Sequence, residues 1–288
     1  MLPLGWFLVV SNTCFFSLPM FLVGTIKLLM PVDAWRDPFR RALSAIAETW
    51  ARVINGLICN FTKTRWEFEG LEGLEKRESY MVICNHQSWV DIPVTLMVFN
   101  RRIPYLKFFL KQQLIWVPIL GYAWWILDYP FMKRYSREQI AKNPSLKGKD
   151  LATTRKQCAH FRSMPVAILN YLEGTRFTDE KHARTKSPYR HLLPPKAGGL
   201  AYTLAAMGDH LDAMLDVTIV YPHGRPTVTD LFANRIRQVK VIVERRELPR
   251  EMVEGDYQDD EAFRKRFQTW VSDMWSAKDD LIEKNTIT

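Results

Sequence analysis

The sequence predicts an α/β fold behind an N-terminal hydrophobic two-helix membrane anchor, and three observations support that class. Residues 2–30 hold a single charged side chain, Lys27. From residue 39 onward apolar residues recur at three- and four-residue steps, the period of an amphipathic helix. Beyond that, short apolar runs of strand length alternate with helical patterns. The change in composition divides the 288 residues into anchoring helices over 1–60 and a globular domain over 61–288, long enough to bury a sizeable core.

As one helix, residues 2–30 would run roughly 40 Å, enough to cross the hydrocarbon core of a bilayer. No Lys or Arg precedes the apolar run and no small-residue cleavage site follows it, which disfavours a signal peptide. Pro19 and the polar Ser11, Asn12 and Thr13 argue against a simple straight span. In the second segment Phe39, Leu43, Ile46, Trp50, Val53, Ile54, Leu57 and Ile58 mark the apolar side. Such a helix either faces a protein core or lies among headgroups with the first segment folded against it as a hairpin, and the apolar lead favours the hairpin. Arg36, Arg40 and Arg41 then place the rest of the chain on the cytoplasmic side under the positive-inside bias.

Strands are expected over 80–84, 165–172, 217–221 and 239–243, and helices over 92–99, 109–125, 151–163 and 198–207. The polar stretch 178–191 is expected to wrap the surface. From Asp260 the tail places Phe263, Phe267, Trp270, Met274 and Trp275 on one helical face, which packs on the sheet or, alternatively, touches lipid.

Composition narrows the function classes. With 47% hydrophobic and 25% charged residues, disordered and collagen-like chains are excluded. A net charge of +9 and a pI near 9.4 suit an acidic partner: a nucleic acid, an anionic lipid surface or a phosphorylated substrate. Cys14, Cys59, Cys84 and Cys158 are scattered without a Cys-x-x-Cys, so neither a disulfide framework nor a metal site is indicated, and a reducing compartment fits. Ten tryptophans favour the boundary between lipid and water.

Of six histidines, only His86 has an Asp five residues on, in Asn85-His86-Gln87-Ser88-Trp89-Val90-Asp91. Chance alone would give ~0.3 such pairs, so context must carry the motif. It follows an apolar strand and opens a helix, where side chains project from a strand's carboxyl end into a crevice. Asp91 reaching back to one imidazole nitrogen would fix the tautomer and leave the other free to take a proton from a hydroxyl. A polar helix cap at Asn85 or Ser88 is the competing explanation. A second block, Glu173-Gly174-Thr175-Arg176, ends another expected strand 87 residues after His86. That tetrapeptide arises by chance in ~0.002 chains of this size, which makes the pairing far more specific than either block alone.

Asn-His-x-Ser-Trp-x-Asp followed by Glu-Gly-Thr-Arg resembles the lysophospholipid acyltransferases, in particular the 1-acylglycerol-3-phosphate acyltransferases and the branch that includes lysocardiolipin acyltransferase. The resemblance runs from about residue 65 to 275. Lys111-Gln112-Gln113-Leu114 and Val117-Pro118-Ile119-Leu120-Gly121 are similar to the family's basic residue and its Ile-Pro-x-x-Gly turn. Phe131-Met132-Lys133-Arg134, Leu193-Pro194-Pro195-Lys196-Ala197-Gly198 and Val220-Tyr221-Pro222 match later blocks. Gln113 departs from a frequent Glu, and Tyr129-Pro130 from a Gly-x-Ile.

The resemblance implies a mixed central sheet flanked by helices, with residues 61–288 as the acyltransferase catalytic domain. It implies acyl transfer from an acyl-CoA or acyl-carrier-protein thioester to a lysophospholipid hydroxyl, here 1-acylglycerol-3-phosphate to phosphatidic acid. Such transfer needs a base, a cationic grip on phosphate and stabilisation of an oxyanion. On that template His86 is the base and Asp91 its orienter, while Glu173, Gly174, Thr175 and Arg176 bind substrate with help from Lys111 and Arg134. Gly174 would permit a tight turn that exposes backbone N–H groups. The competing structural roles are a turn arginine paired with Glu173 for Arg176 and a solvated helix charge for Lys111. No metal or other cofactor is called for. Partners are the two substrates and an anionic membrane, and a bacterial chain would work at the cytoplasmic face of the inner (cell) membrane. Remodelling of another lysophospholipid and non-catalytic lipid binding are the alternatives. A serine hydrolase is disfavoured by the absence of Gly-x-Ser-x-Gly, and nucleic-acid binding by the apolar N-terminus and the lack of a recognised motif.

Overall fold

The computed structural model of the protein describes residues 2–132, 142–143 and 149–287. Helix α1 (Leu2–Leu29) is apolar on nearly every side and is long and apolar enough to cross a membrane. A short 3-10 turn, Asp33–Arg36, returns the chain into α2 (Asp37–Phe61), which folds back along α1. The polar interruption in α1 has a packing reason. The Trp50 indole N–H donates to Thr13 Oγ1 at 3.2 Å, and Asn12 donates to the Trp50 carbonyl at 3.4 Å.

The rest builds on a six-stranded sheet of β1 (Arg65–Glu69), β2 (Tyr80–Cys84), β3 (Leu106–Phe108), β6 (Ala167–Tyr171), β7 (Ala213–Val220) and β8 (Gln238–Arg246). Its order is β1-β8-β7-β2-β6-β3, and only β7 with β8 is antiparallel. A separate parallel pair joins β4 (Leu110–Lys111) to β5 (Phe131–Met132). Because β2 is buried on both faces, its apolar residues alternate between two cores. Met81 and Ile83 pack toward α7 (Ala197–Met207) and α10 (Glu261–Asn285). Tyr80, Val82 and Cys84 pack toward α3 (Asp91–Phe99) and the inner face of α2. The tail residues Phe263, Phe267, Met274 and Trp275 are core residues, and Trp270 packs against them partly buried, so this face meets protein. The remaining helices among the described residues are α4 (Leu120–Ile126), α5 (Lys149–Cys158), α6 (Asp179–Thr185), α8 (Val228–Phe232) and α9 (Arg250–Val253).

Several expectations need correction. The run 109–125 is not one helix: β4, a 3-10 turn at Gln112–Trp116 and α4 share it. Pro118 forbids helix continuation and holds Val117 in an extended conformation. Strands β1 and β3 were not anticipated, and the polar stretch 178–191 contains α6, started by Thr178 accepting the Lys181 N–H. The boundary at residue 60 marks a change in composition but no break in packing, because Leu43, Ala47, Ala51, Ile54 and Ile58 of α2 are buried.

Of the three arginines read under the positive-inside bias, only Arg41 is exposed. Arg36 donates to the Met30 carbonyl, and Arg40 is 6% exposed within an ion-pair cluster. Asp128, after α4, pairs with Lys27 of α1 at 2.8 Å and Arg40 of α2 at 3.3 Å, while Asp37 and Asp33 each meet Arg40 at 2.7 Å. The lone charge of α1 thus faces protein, and its amine also donates to the Ile126 carbonyl at 2.6 Å. Breaking such a cluster leaves buried charge uncompensated. Asp128→Asn should therefore lower unfolding stability by on the order of 3 kcal/mol in detergent, with partial recovery in the Lys27→Met/Asp128→Asn double variant. Urea titration of the purified chain would detect both.

Candidate active site

The strands β7, β2, β6 and β3 are neighbours and run parallel, so their carboxyl ends open on one edge of the sheet. Tyr221 follows β7, His86 follows β2, residues 173–176 follow β6 and Lys111 lies just beyond β3. Parallel pairing brings together motifs that stand 87 residues apart in sequence. Between them lies a cleft of about 660 Å³ lined by His86, Trp89, Lys111, Gln113, Asn170, Tyr171, Gly174, Thr175 and Arg176, among others.

His86 Nδ1 is 2.8 Å from Asp91 Oδ2. The same oxygen accepts the backbone N–H groups of Gln87 at 2.6 Å and Ser88 at 2.8 Å, while Oδ1 accepts the Tyr221 hydroxyl at 2.6 Å. Asp91 is fully buried in the first turn of α3, where the helix dipole favours a carboxylate. Burial first, and the Asp91 charge second, hold the Tyr221 phenol far above its ordinary value, so Tyr221 remains the donor. A carboxylate that accepts at Nδ1 fixes the Nδ1–H tautomer and leaves the Nε2 lone pair to the cleft. The ring itself lies flat on Tyr171, with centroids 4.1 Å apart and planes 18° apart.

The competing cap reading fails for Asn85, while Ser88 braces the turn before α3, whose N-cap position is Val90 with no side-chain cap bond. Asn85 pairs with the backbone of Ile219 in β7, donating to its carbonyl and accepting its N–H, both at 2.9 Å. Ser88 Oγ accepts the Val90 N–H at 3.0 Å and donates to the Pro226 carbonyl.

Glu173 departs from its expected role as a substrate ligand. It is 1% exposed, and its carboxylate oxygens accept the backbone N–H of His86 at 2.8 Å and of Leu193 at 3.2 Å. It positions the His86 backbone and makes no pair with Arg176. Gly174 takes φ +67°, and its own N–H closes the turn on the Tyr171 carbonyl at 2.9 Å. The next two N–H groups, of Thr175 and Arg176, have no protein acceptor among the described residues. Lys181 braces this turn by donating to Thr175 Oγ1 at 2.8 Å and to the Arg176 carbonyl at 2.9 Å. The Arg176 guanidinium stacks on Trp89 at 3.9 Å, and neither it nor the Lys111 amine has a hydrogen-bond partner among the described residues. Lys111 sits in β4 at the cleft and not on a helix. Arg134 lies outside the described residues. Among the described residues no group of three or more His, Cys, Asp or Glu side chains is placed to hold a metal ion.

Known proteins resemble this chain over the same strands. A family model described as Acyltransferase matches residues 65–223, more than half of the chain and every strand that delivers a side chain to the cleft. The chain belongs to this acyltransferase family. Among curated relatives, the delta 1-acyl-sn-glycerol-3-phosphate acyltransferase of Mus musculus is 25% identical over 216 residues, covering 70% of this chain and 52% of that protein. The 1-acyl-sn-glycerol-3-phosphate acyltransferase 3 of Arabidopsis thaliana is 25% identical over 268 residues, covering 86% and 65%. The chain thus spans about half the length of the first of these relatives. The crystal structure of PlsC, the 1-acyl-sn-glycerophosphate acyltransferase of Thermotoga maritima, superposes with a TM-score of 0.51 at 17% identity, covering 96% of this chain and 98% of that one. That likeness is one of fold: a mixed sheet flanked by helices.

In this member of the family the residues that sequence reasoning missed are those that support the motifs. Trp89 stood inside the first motif without a role, and Tyr221 stood in a matched block. Tyr171 is the last residue of β6, so its place beside His86 follows only from strand pairing. Leu193 is held by the tail helix: the Trp275 indole donates to its carbonyl at 3.1 Å, and Asp279 accepts the N–H groups of Arg190 and His191 at 2.7 and 2.8 Å.

Burial pushes the Glu173 carboxyl up to about 8 from 4.5, against the pull of the two N–H donors. Between those values the folded chain keeps a proton that the unfolded chain has lost. The stability this group contributes is therefore complete below about pH 4.5 and is lost as pH rises through about 8. Glu173→Gln removes that dependence. Relative to the wild type, its thermal midpoint should improve steadily from about pH 5 to about pH 8.5, whereas a constant difference would refute the assignment.

Proposed function

We propose that the protein transfers an acyl group from a CoA or acyl-carrier-protein thioester to the free hydroxyl of 1-acylglycerol-3-phosphate, yielding phosphatidic acid at the cytoplasmic face of a cell membrane. The observation that carries the proposal is the His86 imidazole, held by Asp91 with Nε2 toward a cleft that Arg176 and Lys111 also line. Nε2 removes the proton of the acceptor hydroxyl as its oxygen attacks the thioester carbonyl carbon. Asp91 offsets the positive charge that builds on the ring. The tetrahedral intermediate collapses with cleavage of the carbon–sulfur bond, and the departing thiolate takes the proton from Nε2. Arg176, pre-oriented by Trp89, offers paired planar donors to the acceptor phosphate, and Lys111 adds a point charge.

Three further features support this reading: relatives whose names carry 1-acyl-sn-glycerol-3-phosphate acyltransferase activity, a basic chain suited to anionic lipid, and the exposed apolar α1 that would keep the enzyme beside its lipid acceptor. Radiolabelled acyl-CoA and lysophosphatidic acid, supplied to the full chain in vesicles, test it. His86→Ala should reduce turnover by about 10²- to 10⁴-fold with the fold intact. Near wild-type transfer by a folded, membrane-bound His86→Ala variant would refute the base assignment. In the same assay Arg176→Lys should raise KM for lysophosphatidic acid more than KM for the thioester, since an ammonium does not reproduce a guanidinium's fork. The reverse pattern would move Arg176 to the donor site.

A further inference from the structure

No side chain from Gln112 to Leu127 is charged. The folded chain does not bury this stretch: Trp116 is 84% exposed, Ile119 57%, Leu120 43% and Trp125 46%. Apolar side chains displayed together in this way mark a contact surface. The backbone enforces the display. Ile119 has φ +65° and ψ −58°, and the Leu120 N–H bonds to the Pro118 carbonyl at 2.7 Å, which together make a strained γ-turn. A β-branched residue at positive φ is an outlier where glycine or asparagine would relieve the strain. An exposed isoleucine there is explained if its side chain has an apolar destination.

We propose that Trp116–Trp125 is a second membrane contact, inserting beside α1 into the same leaflet at the mouth of the cleft. Continuity with α1 selects a bilayer as the occupant. Leu18, Leu22, Thr25 and Leu29 form one exposed row on α1, at the spacing of a single helical face. Tyr122 of α4 meets that row, its hydroxyl 2.8 Å from Thr25 Oγ1 and its ring 5.0 Å from Phe21. Trp125 adjoins Tyr122 at 6.0 Å, so the apolar surface passes from α1 to α4 without a charged side chain between them. Charges bracket the segment: Lys111 at its start lines the cleft, and Asp128 at its end is tied to Lys27 and Arg40. Tryptophans near both ends suit the level where lipid meets water. The acceptor phosphate, which stays at the headgroup level, would then reach Lys111 and Arg176 while its chain remained in the leaflet.

The inference rests on the membrane part of the proposed function and not on the reaction. Depth-dependent quenching of the full chain tests it without turnover. Cys14 and Cys59 are exposed, whereas Cys84 and Cys158 are buried, so selective labelling is available. One environment-sensitive dye is placed in turn at Cys14 in Cys59→Ser, and at Ile119→Cys, Trp116→Cys or Lys265→Cys in the Cys14→Ser/Cys59→Ser background. Each is reconstituted in phosphatidylcholine–phosphatidylglycerol vesicles carrying chain-nitroxide lipid. The proposal expects several-fold stronger quenching at 14, 119 and 116 than at 265. Quenching at 14 with 119 and 116 no stronger than 265 would overturn the inference and leave α1 as the anchor. Absence of quenching at 14 as well would overturn it together with the membrane reading. Protection of 119 that grows with protein concentration and ignores the lipid quencher would overturn it in favour of contact between copies of the chain.

Discussion

The site depends on one carboxylate, that of Asp91, which folding removes from solvent. Asp91 is fully buried, so its charge is tolerated only because four donors answer it: the His86 ring, two backbone N–H groups and the Tyr221 hydroxyl. Three of the donors belong to the same short loop, and meeting their geometry fixes where the imidazole points. The fourth comes from the far side of β2, which ties the loop to β7. A carboxylate satisfied in this way does not need the proton of the histidine it orients, and that suits an orienting partner better than a second acid.

Everything else at the sheet edge serves to keep that arrangement in register. The parallel pairing of β2 with β6 sets the two motifs side by side, and Glu173 then grips the His86 N–H from below. Glu173 is held in turn by the 190–193 segment, which Trp275 and Asp279 of the tail helix secure. A chain of hydrogen bonds thus runs from the C-terminal helix to the backbone of His86. Arg176 and Lys111 differ in kind: they line the cleft without a hydrogen-bond partner among the described residues, which leaves their donors open to a ligand.

Much of this was legible in the sequence because the informative signals are local. The β2 run Tyr80–Cys84 is apolar throughout, the His86–Asp91 spacing sits directly after it, and Glu173–Arg176 follows an equally plain strand. Less was legible where distant partners decide. Arg65–Glu69 reads as a polar segment because three of its five residues are charged, yet it pairs with β8 at the sheet edge. The apolar run 109–125 satisfies helical spacing, and only Pro118 and the γ-turn at Ile119 divide it. Lys27 reads only as the lone charge of the apolar lead and Arg40 as a positive-inside residue, whereas Asp128, about a hundred residues away in sequence, pairs with both. Glu173 looked like a ligand because it shares a motif with Arg176, and burial alone separates their roles.

The central claim is that Asp91 fixes the tautomer of the His86 ring, with the proton on Nδ1 and the lone pair of Nε2 toward the cleft. The most direct measurement is the ¹⁵N spectrum of histidine-labelled full-length protein at neutral or mildly basic pH, with His86 assigned by its loss in His86→Gln. The account predicts an Nδ1 signal in the protonated range and an Nε2 signal in the unprotonated range, with this preference weakened in Asp91→Asn. The reverse tautomer in the wild type, or a preference unchanged by Asp91→Asn, would contradict it.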